Sequence, residues 1–174
     1  MTQRIRRTAM IAALLPVMLA ATRAAPDPAQ ALAGRYYRQF SDALVNGDKY
    51  TGEDIVEIVP VAPNSAYFRI HLDYYNGHTC GISGVATGEA GALVYRDPQK
   101  QYGGSTCVLR LQRSGRSLAI DDGGGSCKSY CGARGSLSKV EVPYASKRRI
   151  AYLARLRNSA QYRDAVAKWR RKPR

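Results

Sequence analysis

Apolar and polar residues alternate through much of the chain with the period of two that a half-buried β-strand demands. The clearest run sets Phe68, Ile70, Leu72 and Tyr74 on one face and Arg69, His71, Asp73 and Tyr75 on the other. Asn76-Gly77 follows, a pair suited to the two positive-φ positions of a tight hairpin. A second hairpin is expected at Ser114-Gly115; as a two-residue loop it places Leu111 opposite Leu118 and Leu109 opposite Ile120. Further strands are expected over 35–40, 54–61, 81–87, 93–96 and 139–144, the last with Val140, Val142 and Tyr144 alternating with Lys139, Glu141 and Pro143. About eight strands joined by short turns result. Closure into an antiparallel meander barrel would remove the exposed edges, so the expected fold is mainly β, with a two-sheet sandwich as the alternative.

After Tyr144 the pattern becomes helical. Ser146 is placed to cap a first helix in which Ile150, Leu153 and Leu156 recur at helical spacing, although Lys147, Arg148 and Arg149 oppose the helix dipole there. Asn158-Ser159 interrupts it. Ser159 can cap a second helix whose Tyr162, Ala165, Val166 and Trp169 form one apolar stripe. That stripe is expected to pack on the barrel and to cover an open end. The chain therefore divides into a leader (1–24), a β-barrel domain (25–146) and a basic helical segment (147–174).

Charge sharpens this division. Residues 25–146 hold 12 basic and 12 acidic side chains, whereas residues 147–174 hold 11 Lys or Arg and one acid, a net +10. The remainder of the formal +14 comes from Arg4, Arg6, Arg7 and Arg23. A neutral body with a cationic end implies an anionic partner or a solvated helix face. The candidate anion-binding residues are Arg148, Arg149, Arg155, Arg157, Arg163, Lys168, Arg170 and Arg171.

Residues 1–7 are cationic, 8–20 are apolar, and the small-residue run Ala20-Ala21-Thr22-Arg23-Ala24 follows, as in a secretory signal peptide. The 13-residue apolar run falls short of the roughly 20 needed to span a bilayer. A periplasmic or secreted product, soluble after cleavage near Ala24, is expected. Export disfavours nucleic acid as the anion and favours an envelope polymer or lipid surface.

An oxidising compartment permits disulfides, and the mature chain has four cysteines, Cys80, Cys107, Cys127 and Cys131. In a meander, strands starting at Cys80 and Cys107 run the same way, and the turn bearing Cys127 and Cys131 lies at the end where they start. Asp122 would face Cys107, and Gly123-Gly124-Gly125 would let Cys127 return to it. This favours Cys107 with Cys127 and Cys80 with Cys131; Cys127 with Cys131 and Cys80 with Cys107 is the other pairing. Only Cys127 and Cys131 approach zinc-ligand spacing, and no metal or cofactor is expected.

Catalytic chemistry has little to draw on. His71 shares a strand face with Arg69 and Asp73, a grouping able to move protons but also common on surface strands. His78 follows the Asn76-Gly77 turn. The run from Asp121 to Ser126 lacks both calcium-loop and phosphate-loop spacing and reads as a flexible connection. The protein is therefore expected not to be an enzyme.

The segment Ser126 to Leu137, with its two cysteines, preceded by Cys107 and a barrel pattern, resembles uncharacterised exported bacterial β-barrel proteins. In architecture it is also similar to small periplasmic barrels of the lysozyme-inhibitor type. That resemblance implies a non-catalytic binding protein acting on a protein partner in the envelope, as an inhibitor of or immunity factor for a cell-wall hydrolase. The basic segment supplies the alternative, attachment to an anionic polymer or lipid.

Overall fold

A computed structural model describes residues 26–101 and 104–171. The leader over 1–24 lies outside the described residues. Eight strands, β1 (Gly34–Ala43), β2 (Lys49–Ala62), β3 (Ser65–Tyr74), β4 (His78–Glu89), β5 (Ala92–Lys100), β6 (Thr106–Ser114), β7 (Ser117–Asp121) and β8 (Val140–Pro143), form one antiparallel sheet in sequence order. The meander barrel is thus realised. Helix α1 (Pro28–Ala31) precedes it, and α2 (Leu153–Arg157) and α3 (Ala160–Arg170) follow.

The inward face is the one the alternation marks. Val56, Ile58, Phe68, Ile70, Leu72, Ile82, Leu109, Leu111, Leu118, Ile120 and Val142 are all buried in one core. At the β3–β4 turn Asn76 and Gly77 take φ of 62° and 67°, and pairing ends at Tyr74 with His78, so Tyr75 belongs to a three-residue loop rather than to the strand. The β6–β7 turn differs from expectation by one residue. Ser114 pairs with Ser117, Leu111 with Ile120, and Arg113 with Leu118, which makes Gly115-Arg116 the loop. Gly115, at φ 55°, supplies the positive φ that a two-residue hairpin needs at its first central position.

Both barrel ends are closed by chain outside the strands. At one end α1 and the residue after it insert Ala29 and Leu32 into the core, and Asp27 holds the helix by accepting from the Ala29 amide at 2.7 Å and the Asn64 amide at 3.1 Å. At the other end lies the long β7–β8 connection, with Leu137 in the core. Its disulfides join Cys80 to Cys131 and Cys107 to Cys127, so all four cysteines gather there. The β6–β7 ladder ends at Arg110 with Asp121, so Asp122 does not face Cys107 as expected. Asp122 turns inward instead. Buried, its carboxylate accepts from the Gly125 amide at 2.9 Å, the Cys127 amide at 3.1 Å and the Ser138 hydroxyl. The glycine run is thereby an organised turn and not a loose connection.

The C-terminal segment corrects two expectations. Ser146 caps no helix: its hydroxyl accepts from the Tyr37 amide at 3.0 Å and donates to the Pro143 carbonyl at 2.6 Å. Helix α2 starts only at Leu153, so Ile150 precedes it, consistent with the poor fit of three cations to a helix start. Ser159 does cap α3, accepting from the Tyr162 amide at 3.2 Å. The stripe of Tyr162, Ala165, Val166 and Trp169 packs on Val59, Tyr67 and Val85, which point out of the barrel. Helix α3 therefore covers the outer wall of β3 and β4, and neither open end. Of the stripe, Val166 is buried, and full burial of such an aliphatic side chain contributes about 1.5–3 kcal/mol.

Candidate functional site

The meander leaves one junction to be made, between β1 and β8, and no ladder makes it. The chain just beyond β8 does so instead. Arg35 and Arg148 exchange both backbone hydrogen bonds at 2.8 Å, and Ser146 takes the Tyr37 amide. Lys147 donates from Nζ to the Ala31 carbonyl at 2.7 Å, which also ties α1 to the seam.

Residues 147–149 are held against β1, and α2 returns to the outer wall through the buried Leu156. The space between is a groove of about 560 Å³. Its apolar walls come from Val59 and Pro60 on one side and Ile150 and Leu153 on the other; Lys147, Arg148, Arg149 and Arg157 line it as well. No carboxylate lines it. Arg148 is steadied by bonds from one guanidinium nitrogen to the Ala145 and Lys147 carbonyls, both 2.8 Å. The side chains of Arg149 and Arg157 are exposed and hydrogen-bond no protein group among the described residues.

The remaining candidates stand elsewhere. Arg155 lies over the Tyr152 ring at 5.2 Å. Arg163 donates to the Asn158 carbonyl at 2.9 Å and, with Arg170, borders a shallow hollow near Val61. Lys168 faces a different cleft, beside β4 and β5, and Arg171 ends α3. Three of the eight predicted cations therefore share the groove. Lys147 joins them, a residue left out of the candidate set although it opens the basic segment. The walls Val59 and Pro60, distant in sequence, carried no signal of this role.

The segment is anchored by a buried charge. Glu57 has no solvent exposure, lies beside Arg35 and Arg69 on neighbouring strands, and receives Arg69 Nε at 2.6 Å. Tyr152, just ahead of α2, donates its hydroxyl to the same carboxylate. Burial, then that bond, raises the Tyr152 hydroxyl above its ordinary value, so it remains a donor.

Arg69 is thus committed to Glu57 and does not join His71 and Asp73 as its position on the strand suggested. His71 Nε2 lies 3.0 Å from Asp73 Oδ1 on an exposed stretch of wall that lines none of the cavities described. Among the described residues no group of His, Cys, Asp and Glu is arranged to hold a metal, and no helix is long and apolar enough to cross a membrane.

The chain matches no family model, no curated protein and no solved structure.

Proposed function

We propose that the protein is a non-catalytic binding protein of an exported compartment that attaches to an anionic lipid surface through the seam groove. The observation that supports this is the concentration of Lys147, Arg148, Arg149 and Arg157 around apolar walls with no acid among them. A phosphate-bearing headgroup would meet the guanidinium groups while its adjoining carbon chain met Val59, Ile150 and Leu153. A purely polar polymer would use only the cations. Two disulfides suit the compartment.

The test is cosedimentation of the full chain with phosphatidylglycerol and phosphatidylcholine vesicles. Binding only to the former is expected, falling steeply as the Debye length contracts from about 8 Å at physiological salt to about 3 Å at molar salt. Neutralising Arg148, Arg149 and Arg157 together, each to Gln, should weaken it by about a hundredfold, since each cation near an anionic surface is worth about 1 kcal/mol. Equal binding to both vesicles would defeat the reading, and retention only on a soluble polyanion would assign the site to a polymer.

A second reading is supported by a separate surface. Leu44, Val45 and Tyr75 are exposed on the β1–β2 and β3–β4 turns, which the Val45 amide joins by donating to Asn76 Oδ1 at 3.0 Å. An apolar patch on rigid turns suits a protein partner, and a cell-wall hydrolase is the partner implied by resemblance to inhibitor-type barrels. Loss of hydrolase inhibition on changing Val45 and Tyr75 to Ser, with vesicle binding retained, would support it.

A further inference from the structure

A second cavity lies on the barrel wall, away from the seam, and its chemistry differs. Strands β4 and β5 pair over only three positions, from Glu89 with Ala92 to Thr87 with Val94. Beyond these the strands have no common ladder, although β4 extends back to His78 and β5 forward to Lys100. The Tyr95 ring fills the inner side of this opening against Gly84, where a Cβ would collide with it, and packs edge-on against Phe68 in the core. Helix α3 runs alongside. A cleft of about 320 Å³ remains, reached by backbone or side chains from β4, β5, the turn around Tyr130 and α3.

Tyr130 and Trp169 line it, with the buried Tyr95 at its inner wall. Its polar groups are mixed: Ser83, Gln99, Gln161, Asp164 and Lys168 offer both donors and acceptors. Asp97, itself buried, sets the geometry. It accepts from the Gln99 amide and from Gln101 Nε2, each at 2.9 Å, and from the Tyr130 hydroxyl. Burial, then the bond to Asp97, pushes the Tyr130 hydroxyl up to about 12, so at neutral pH it is a fixed donor to Asp97. With Asp97 and Asp164 set against Lys168, the cleft has none of the one-signed charge of the seam groove.

We infer that this cleft is a binding site for a single saccharide ring. Flat aromatic faces accommodate the C–H face of a pyranose, whereas its hydroxyls, each both donor and acceptor, match the mixed amide, hydroxyl and carboxylate rim. The volume lies at the small end of ligand pockets, which run from about 300 to 1,000 Å³, and so fits one ring better than a folded chain. An extended peptide adding to the open strand edges is the competing occupant. The Tyr95 ring standing in that opening argues against it.

Trp169 is the single tryptophan of the chain, so its fluorescence reports on this cleft directly. The full-length protein would be titrated with N-acetylglucosamine, glucose and galactose, with calorimetry in parallel. A saturable change in Trp169 emission with at least one sugar, at concentrations up to roughly tens of millimolar, is expected. Gln161→Ala with Asp164→Ala, both at exposed positions of α3, should weaken that binding about tenfold or more while leaving the circular dichroism spectrum unchanged. Tetra-N-acetylchitotetraose separates the sources: tighter binding than the monomer assigns the site to a polymer end, equal binding to a free sugar. The inference fails if none of the sugars gives a saturable response, if the double variant binds as well as the parent, or if only an extended peptide is bound.

Discussion

The Tyr152 hydroxyl donates to Glu57, a carboxylate fully removed from solvent on the outer wall of the barrel. One phenol thereby joins the basic C-terminal segment to the neutral body. Tyr152→Phe leaves that oxygen with one partner fewer, a loss of about 1.5–3 kcal/mol for a hydrogen bond to a charged group. Denaturant unfolding should show this decrease, and limited proteolysis should cut the variant faster within 147–171 than elsewhere. Unchanged stability would mean that the apolar stripe and the seam bonds of Lys147 and Arg148 hold the segment without this phenol.

Gly84 is needed for space. Its backbone is not in the left-handed region, yet any Cβ there meets the Tyr95 ring. Gly84→Val is expected to cost about 1–3 kcal/mol through overpacking, read as a lower thermal midpoint, and to displace Tyr95 into the cleft. Trp169 emission should shift in the folded variant without added ligand.

The two disulfides should contribute unequally. They close 51- and 20-residue separations. Loop-closure entropy assigns about 4 kcal/mol to Cys80–Cys131 and about 3 kcal/mol to Cys107–Cys127. Replacing each pair by Ser and comparing unfolding free energies checks the order, and equal losses would contradict it.

Alkaline pH should unfold the protein in a defined window. Burial raises the hydroxyls of Tyr36, Tyr67, Tyr74 and Tyr95 above 10.0, and Tyr130 to about 12. A raised folded-state value means that the native state holds the proton more tightly than the unfolded chain. The stabilisation is therefore complete below pH 10 and is lost as pH rises through the folded values. Phenolate absorbance of these residues should appear together with loss of β-sheet circular dichroism. Smooth ionisation of all tyrosines without unfolding would refute it.

The strands were legible because alternation records which side chain faces the core, and Phe68, Ile70 and Leu72 state that locally. The β6–β7 register was less so. Moving the turn by one residue shifts the pairing by two, which keeps Leu109, Leu111, Leu118 and Ile120 inward in either case; only the positive φ of Gly115 decides. Ser146 stands where a helix cap is plausible, but its partner is the Tyr37 amide, 109 positions away. No local pattern contains such a bond. The cations of 147–174 were visible as charge, while the groove also needs Val59 and Pro60 from β2. The cleft was hidden for the same reason: Ser83, Tyr95, Tyr130 and Trp169 come from four separate elements, and the divergence of β4 from β5 has no counterpart in the spacing of residues.

Sealing the barrel through Arg35 and Arg148 makes the order of emergence matter. A chain made amino end first delivers β1 early, and the outer edge of that strand then waits for more than a hundred residues before Ser146 and Arg148 arrive. During that interval its unpaired amides and carbonyls are open to any other extended segment, and the closing contact is among the most distant in sequence that the fold contains. The segment that carries the charge is thus also the latch, and a chain truncated before it would be released with its first strand still exposed.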